Sequence, residues 1–366
     1  MVIGQRDMVE EEAVGMPQSG RTAPQASGGR VLLPVLAALV LVAVAVVAVV
    51  ATGLPSRWFG PQLLPTTIAV GFDPAGVAVD PAAHRTYVTN RGDDTVSVLD
   101  TTRNTVVATI PVGHAPVGVA VDPAAHRAYV ANAGGGVSVL DTARNTVMAT
   151  ISAGNDLAGV AVDPAAHRAY VTIPGVNLVQ VLDTRSNAVV ATIPVGELKE
   201  ISSSAAGIAL DPVAHRAYVA VSGILGFPSR SVVVIDTDAT FIVDTIRVGL
   251  TPVGVAVDPA AHRAYVTNRD SNSVSVIDTV RGAAIAGIRV GRSPLAVAVD
   301  PAAHRAYVTN DGSASVSVID TRRNVVVATL PTGRAPLAIA VDPAAHRAYV
   351  ANADDAVSVL GMNGMP

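Results

Sequence analysis

The sequence predicts an all-β protein, a seven-bladed β-propeller closed by an N-terminal strand and preceded by one transmembrane helix. Three observations predict this architecture. A phrase of nine residues recurs seven times, each recurrence is followed by short runs rich in Val, Ile, Thr and Tyr, and one long uncharged stretch precedes them all. Repeats of about 40–45 residues with four strands each are typical of propeller blades arranged around a central channel.

The chain begins with a polar segment, which an apolar stretch follows. Residues 1–30 are expected to form a disordered cytoplasmic tail, whereas Val31–Leu54 contains no charged residue. As a helix this stretch would span about 36 Å, which exceeds a hydrocarbon core of about 30 Å. Arg21 and Arg30 precede it and only Arg57 closely follows, so the positive-inside rule places the N-terminus in the cytoplasm.

We therefore predict a signal-anchor helix over residues 31–54, a linker over residues 55–65, and a propeller outside the cytoplasm. The alternative is a signal peptide cleaved near Ala51, which would make the protein secreted. Cleaved signal peptides usually have an apolar region of about 7–15 residues. The greater length of this stretch favours the anchor, with the protein in the cell membrane as a single-pass chain.

The repeats occupy the next element, a predicted propeller over residues 66–361. The repeated phrase is Asp-Pro-Ala-Ala-His-Arg-x-Tyr-Val, and Val213 replaces an Ala in its fourth copy. Asp-Pro, Gly-rich and Asn-rich segments between the apolar runs predict turns, so each unit is read as four strands. The His of the seven copies are His84, His126, His167, His215, His262, His304 and His346.

The two ends of the array predict that the ring closes. The last unit ends after Val357–Leu360 without a fourth strand, and residues 362–366 form a short tail. A matching strand, Thr66–Gly71, precedes the first unit. We expect this strand to complete the last blade, because closure removes an edge that would otherwise invite aggregation.

The repeated phrase continues into a recognisable signature. Tyr87–Asn90, Tyr265–Asn268 and Tyr307–Asn310 read Tyr-Val-Thr-Asn, and two further copies read Tyr-Val-Ala-Asn. In these residues the chain resembles the YVTN-repeat β-propeller family, the YncE-like and surface-layer-type proteins. The resemblance implies a seven-bladed, extracytoplasmic propeller of mostly undefined biochemical role. The chain departs from the signature at Ile173 and Val221, where the Asn is lost, and we expect the usual tight turns there to be replaced.

Composition and motifs argue against several functions. The net charge is −4 and Lys199 is the only lysine, which speaks against a nucleic-acid partner. The chain has no cysteine, so thiolate metal sites are excluded. One His per blade cannot share a zinc ion, because ligand nitrogens must lie at about 2.0–2.1 Å. We predict neither metal nor cofactor, and find no catalytic motif, so the protein is not read as an enzyme.

Variation between repeats indicates a candidate binding surface. The turns joining strands one–two and three–four are nearly identical, whereas the two–three and blade-connecting loops differ and lie on the opposite face. One of the two–three turns contains Arg91-Gly92-Asp93, which a cell-adhesion receptor could reach. The same tripeptide is also ordinary turn chemistry. The residues that follow the repeated Gly form a predicted ring at the channel mouth, namely Phe72, His114, Asn155, Glu197, Leu250, Arg292 and Arg334.

Two long repeats add a second candidate site above the fourth blade. Two spacings between successive His are 48 and 47 residues, against 41–42 elsewhere. The extra residues fall in two predicted loops, 197–205 and 222–230, which we expect side by side. An apolar tip beside hydroxyl and charged groups is typical of a binding site. The candidates are Glu197, Lys199, Glu200, Ser202, Ser203, Ser204, Leu225, Phe227 and Arg230.

The predicted function is that of a binding scaffold. We expect a membrane-anchored, monomeric propeller that binds a protein, a glycan or another ligand of the cell envelope through its variable face. The alternative is a lactonase-like small-molecule hydrolase, since similar propellers host that chemistry, although fold alone does not transfer function. A third possibility is purely structural packing at the cell surface.

Overall fold

The computed structural model describes residues 65–196, 203–223 and 229–362. The predicted cytoplasmic tail, the membrane helix at Val31–Leu54, the linker up to residue 64 and residues 363–366 lie outside this part of the chain. Within the described ranges, none of the helices has the length and apolar character needed to cross a membrane.

The described residues form 28 strands arranged as seven sheets of four antiparallel strands. The chain enters with β1 (Thr66–Ala69) and then builds six blades in chain order. Blade 1 contains β2 (Pro74–Asp80), β3 (Arg85–Asn90), β4 (Thr95–Asp100) and β5 (Thr105–Pro111). Blade 2 contains β6 (Pro116–Asp122), β7 (Arg127–Asn132), β8 (Val137–Asp141) and β9 (Thr146–Ile151). Blade 3 contains β10 (Val160–Asp163), β11 (Arg168–Ile173), β12 (Leu178–Asp183) and β13 (Ala188–Pro194).

The remaining blades repeat this plan. Blade 4 contains β14 (Ser203–Asp211), β15 (Arg216–Gly223), β16 (Ser231–Asp236) and β17 (Phe241–Arg247). Blade 5 contains β18 (Pro252–Asp258), β19 (Arg263–Asn268), β20 (Ser273–Asp278) and β21 (Ala283–Arg289). Blade 6 contains β22 (Pro294–Asp300), β23 (Arg305–Asn310), β24 (Ser315–Asp320) and β25 (Val325–Pro331). Blade 7 contains β26 (Pro336–Asp342), β27 (Arg347–Asn352) and β28 (Ala356–Gly361). Short 3-10 turns occur at Pro174–Val176, Arg269–Ser271 and Asp311–Ser313.

The N-terminal strand closes the ring, which confirms the prediction. Strand β1 pairs antiparallel with β28, with Ile68 opposite Val357, and becomes the outermost strand of blade 7. The side chain of Ile68 is buried in a cluster that includes Val88 and Leu99 of blade 1. The first strand therefore joins the last blade and also contributes to the interface with the first blade.

The recurring tyrosines fill the interfaces between blades. Tyr265 of blade 5 is fully buried and packs in one cluster with Val308 and Ile319 of blade 6. Burial raises the pKa of Tyr307 to about 12, because the phenolate would lose its solvation and would lie near the Asp300 carboxylate. All seven are buried, namely Tyr87, Tyr129, Tyr170, Tyr218, Tyr265, Tyr307 and Tyr349.

The repeated histidines have a backbone role. Asp80 caps the turn after β2, because its carboxylate accepts a hydrogen bond from the Ala83 N–H at 3.0 Å. The residue that ends this turn is His84, whose φ is +53°. The left-handed conformation is uncommon for side chains other than Gly, and His is among the residues enriched there. The other six repeated His also have φ between 50° and 54°, so the seven copies are one turn type used seven times.

The signature threonine joins neighbouring blades next to the channel. The Thr89 hydroxyl accepts a hydrogen bond from the Gly76 N–H at 2.7 Å and donates to the Val117 carbonyl of blade 2 at 2.8 Å. A Cβ at position 76 would collide with that same carbonyl, so glycine permits the close approach of the two inner strands. Blades 1, 3, 5 and 6 carry this Thr, whereas blades 2, 4 and 7 carry Ala.

Candidate functional site

The two ends of the blades carry different kinds of loop. On one face, the Thr101 N–H donates to the His84 carbonyl at 3.1 Å, so the two repeated turns of a blade lie together. On the other face, the Arg91 N–H donates to the Asp73 carbonyl at 2.9 Å, which places the two–three turn beside the blade-connecting loop. We call these the repeated face and the variable face.

The aspartates of the repeated face are occupied by backbone capping. One Asp100 oxygen accepts hydrogen bonds from the N–H groups of Thr102 and Arg103 and from the Thr102 hydroxyl, at 2.6–3.0 Å. These bonds hold the pKa of Asp100 well below its usual range, the Thr102 hydroxyl having the largest effect. The equivalent carboxylates of Asp141, Asp183, Asp236, Asp278 and Asp320 also have lowered pKa values. A carboxylate held ionised in this way is a poor proton donor at neutral pH.

The loops of the variable face are joined from blade to blade by side-chain hydrogen bonds. Asp94 ends the two–three turn of blade 1, and its carboxylate accepts from the Ala115 N–H of the next connecting loop at 2.8 Å. In blade 5, Asn272 accepts from the Ser293 N–H at 2.8 Å in the same way. Asp355 of blade 7 accepts from the Asp73 N–H at 3.0 Å, which closes the ring on this face. At these three junctions the loops of neighbouring blades are thereby tied to each other.

The Arg91-Gly92-Asp93 tripeptide is engaged within its own blade. The Arg91 guanidinium forms an ion pair with Asp73 at 2.7 Å, and the Asp93 carboxylate accepts from the Phe72 N–H at 2.7 Å. The Phe72 ring contacts Gly92. A receptor would have to break these contacts before it could bind both charged groups, so the ordinary turn interpretation accounts for the tripeptide.

The predicted ring of residues lies on the variable face but does not line the channel. Five of its members, Phe72, His114, Asn155, Arg292 and Arg334, are exposed; Leu250 is half-buried, and Glu197 lies outside the described residues. The side chains of Phe72 and His114 lie against the two–three turns of their own blades, at Gly92 and Gly134. The His114 ring also lies 3.1 Å from the Asp94 carboxylate. The described members therefore lie on the loops of the variable face, and their role at the channel mouth stays a prediction.

The channel itself is apolar. A cavity of about 380 Å³ runs between the inner strands, and all seven blades contribute to it. Each blade contributes a short segment such as 75–77, 117–119 or 253–255, built from Ala, Gly, Val, Leu and Ile. No charged side chain among the described residues lines this cavity. The charged groups of the repeated and variable turns lie on the two faces that surround it.

The two insertions of blade 4 are partly strand. Residues 203–205 and 222–223, predicted as loop, belong to β14 and β15, where Ser203 pairs with Gly223 and Ser204 with Ser222. The prediction of two loops was wrong at these positions, because residues added on both sides of a hairpin can continue its pairing. The described ends of the two insertions pair with each other, and the rest of both segments lies outside the described residues. Arg230 precedes β16 and is exposed, whereas Glu197, Lys199, Glu200, Ser202, Leu225 and Phe227 lie outside the described residues.

Loss of the signature Asn does not change the turn of blade 3. Ile173 precedes a 3-10 turn that ends at Asn177 with φ of 52°. Asn268 of blade 5 precedes the same kind of turn, which ends at Asn272 with φ of 50°. The expectation that the tight turn is replaced was therefore wrong for blade 3, and the corresponding turn of blade 4 lies outside the described residues.

The signature Asn instead belongs to a buried polar network. The Asn268 amide donates to Ser275 at 3.0 Å, and the Ser275 hydroxyl accepts from the Gly249 N–H at 3.3 Å. In blade 4 the positions of Asn268 and Ser275 are occupied by Val221 and Val233, both buried. The Asn and Ser are thus replaced together, which explains why the backbone tolerates the change.

The structure assembles no metal-ligand group within residues 65–196, 203–223 and 229–362, where no three His, Asp or Glu side chains come close enough to hold one ion. His114 and Asn155, two polar members of the predicted ring, lie on loops entering neighbouring blades. His114 is engaged with Asp94.

Comparison with known proteins supports the fold alone. No family model matches the chain, and no curated protein matches it. A solved structure described as Kuenenia stuttgartiensis hydrazine synthase is similar, with a TM-score of 0.71 and 21% sequence identity over 86% of this chain and 100% of that chain. At this identity the likeness concerns the seven-bladed propeller and not its chemistry.

Proposed function

We propose that this protein is an extracytoplasmic binding scaffold, anchored by Val31–Leu54, whose variable face binds a protein or glycan of the cell envelope. One observation carries the proposal. The variable face presents different side chains from blade to blade, and at three junctions its loops are held in place by blade-to-blade hydrogen bonds. A surface that is already ordered loses less conformational entropy on binding.

The opposite face supports the same assignment by contrast. Its turns repeat the same residues and the same φ values, and its carboxylates cap the backbone. A partner that recognises one blade there would meet nearly the same surface on the next blade. Specific recognition of a single partner therefore favours the variable face. Arg292 and Arg334 are exposed on successive connecting loops of that face and suit a carboxylate or a sugar hydroxyl.

The test compares matched pairs of arginines on the two faces. Arg292→Ala with Arg334→Ala removes two charges from the variable face, and Arg103→Ala with Arg144→Ala removes two from the repeated face. The full-length chain is measured against purified cell-wall glycan by co-sedimentation and against envelope protein immobilised on a surface.

We expect the first pair to weaken binding to one of these probes by about tenfold or more, which corresponds to about 1.4 kcal/mol. The second pair should leave binding within about twofold of the unmodified chain. Equal losses for both pairs, or binding to neither probe, would contradict the proposal.

A further inference from the structure

The outer strand of blade 4 differs from the other outer strands in its exposed side chains. In β17, Phe241, Ile242 and Val243 are 54%, 38% and 41% exposed and follow one another directly. Outer strands in the other blades expose at most two large apolar side chains each, as at Val106 and Val107 of β5. Strand β17 is also the last strand of its sheet, so one edge of its backbone is unpaired within the described protein.

The same strand carries a carboxylate where the other blades have a methyl group. Asp244 lies opposite Val234, and the residues at the matching register positions of five other blades are Ala108, Ala149, Ala191, Ala286 and Ala328. Asp244 is exposed, and its only hydrogen bond to a described residue comes from the Thr245 N–H at 2.7 Å. It forms no ion pair with the described residues.

Blade 5 is adapted to this carboxylate. Gly282 has φ of +64° and occupies the turn position that is Asn104, Asn145, Asn187 or Asn324 in other blades. A Cβ at position 282 would lie 2.5 Å from an Asp244 carboxylate oxygen. The close approach requires glycine there, whereas the left-handed conformation alone is adopted by Asn in four other blades.

A groove of about 300 Å³ runs between these two blades. Val243, Asp244, Tyr218, Val280, Arg281 and Gly282 are among its lining residues. Val280 is 74% exposed, and the Arg281 guanidinium pairs with Asp278 at 3.4 Å. The groove thus adjoins β17 at Val243 and Asp244, and its lining mixes apolar side chains with the charged Arg216 and Arg281.

The turn that precedes β17 makes this region more acidic. It contains Asp236 and Asp238 and no arginine, whereas each matching turn of blades 1, 2, 3, 5 and 6 contains at least one arginine. The Asp238 side chain is 71% exposed and lies 3.3 Å from His215. The exposed apolar run Phe241–Val243 thus has the Asp238 carboxylate before it and the Asp244 carboxylate directly after it, although β17 itself ends at the exposed Arg247. Such a run is complementary to an extended segment whose apolar centre is flanked by basic residues.

We propose that the free edge of β17 binds an extended basic and apolar segment of another protein, which adds a strand to blade 4 and places a Lys or Arg against Asp244. Main-chain hydrogen bonds would supply affinity and the side-chain pockets would supply specificity. A second copy of this chain fits less well, because antiparallel pairing of β17 with itself about Asp244 would place two carboxylates opposite each other. The net charge of −4 also favours a basic partner.

The test uses a peptide of about ten residues, a long strand's length, with alternating Thr and Val in the centre and Lys at both ends. Its affinity for the full-length chain is measured by fluorescence anisotropy. We expect Asp244→Ala to weaken binding by about tenfold. The Phe241→Thr/Val243→Thr variant should weaken it similarly, because Thr keeps strand propensity while reducing apolar surface.

Matched controls separate this site from the rest of the protein. Val106→Thr/Val107→Thr makes the same kind of change on blade 1, and Arg292→Ala/Arg334→Ala changes the variable face; neither should alter peptide affinity. Asp244→Ala installs the residue of five other blades, so its melting temperature should equal that of the unmodified chain. A peptide with Glu in place of Lys should not bind.

Three results would overturn the proposal. One is the absence of binding when the basic peptide is titrated up to about 1 mM, since a dissociation constant above that value is too weak to define a site. Another is equal affinity of the chain for the Lys and Glu peptides, or a loss of peptide affinity in Val106→Thr/Val107→Thr as large as that in Phe241→Thr/Val243→Thr. The third is self-association of the chain in sedimentation equilibrium that Phe241→Thr/Val243→Thr abolishes, which would assign the edge to a second copy.

Discussion

Blades 4 and 5 are neighbours with the same number of strands and nearly the same registers, yet their interiors differ at one end. Blade 5 has Asn268 and Ser275 in a buried polar network, and blade 4 has Val221 and Val233 in the same places. Both blades keep the buried Tyr, the left-handed His and the capping Asp. The repeated face is therefore the constant part of a blade, while the end towards the variable face can be rebuilt.

The difference shows that the signature Asn does not specify the turn. A buried amide with its hydroxyl partner and a pair of buried valines support the same strand register. Replacing both partners of a buried hydrogen bond by apolar groups can be nearly neutral, whereas removing one leaves an unsatisfied group. Four predictions examine how far the two blades are equivalent, and they are given from the largest expected effect to the smallest.

The largest effect is expected where the blades are alike. Tyr218→Ala and Tyr265→Ala should each lower the free energy of unfolding by about 3–5 kcal/mol, because each leaves a large cavity between two blades. Urea denaturation of the full-length chain measures both. If Tyr218→Ala lowered the free energy of unfolding by less than half as much as Tyr265→Ala, the two blade interfaces would be packed differently.

The polar network should behave as a unit in blade 5. Asn268→Val alone should cost about 1–3 kcal/mol, because it removes the buried amide that donates to the hydroxyls of Ser273 and Ser275. Adding Ser275→Val should recover most of that loss. In blade 4, Val221→Asn should cost a similar amount, since it buries an amide facing Val233. Additive losses in the double variant would refute the coupling.

A smaller effect is expected at the threonine bridge. Thr267 accepts from the Gly254 N–H and donates to the Leu295 carbonyl of blade 6, both within 2.8 Å, whereas blade 4 has Ala220 at this position. Thr267→Ala should cost about 1 kcal/mol. Thr245→Ala on the exposed outer strand is the matched control and should change stability little. Equal effects at both positions would show that the bridge adds no stability.

The smallest effect concerns acid stability and should be the same in both blades. Backbone hydrogen bonds from Ala239 and Arg281 are the main causes that lower the pKa values of Asp236 and Asp278, respectively. A depressed folded-state pKa contributes stability that is present above the unfolded pKa of about 3.9 and is lost as the pH falls through the folded value.

Asp236→Asn and Asp278→Asn should therefore lower the melting temperature at neutral pH and reduce its decline in acid. Thermal unfolding between about pH 6 and pH 2 measures this, on both sides of the unfolded pKa. If either variant kept the full acid decline of the unmodified chain, that carboxylate would not contribute to it.

Much of the fold could be predicted from local patterns. The seven copies of the Asp-Pro-Ala-Ala-His-Arg phrase define the blades, because each copy fixes one turn through its own capping and backbone conformation. The unpaired strand at Thr66–Ala69 predicts closure, because it matches what the last unit lacks. The candidate residues of the variable face follow from variation between repeats. Their contacts do not, since these depend on how each side chain lies on a neighbouring turn.

By itself, the sequence determined the number of blades, the strand that closes the ring and the division into a repeated and a variable face, because turn chemistry and alternation are local properties. Only the tertiary structure decided which groups meet across blades. It joined Thr89 to a carbonyl of the next blade, placed Asp244 over Gly282, and paired residues 203–205 with 221–223 of blade 4 as strands. These contacts depend on the packing of neighbouring sheets, and no spacing within a single repeat encodes that packing.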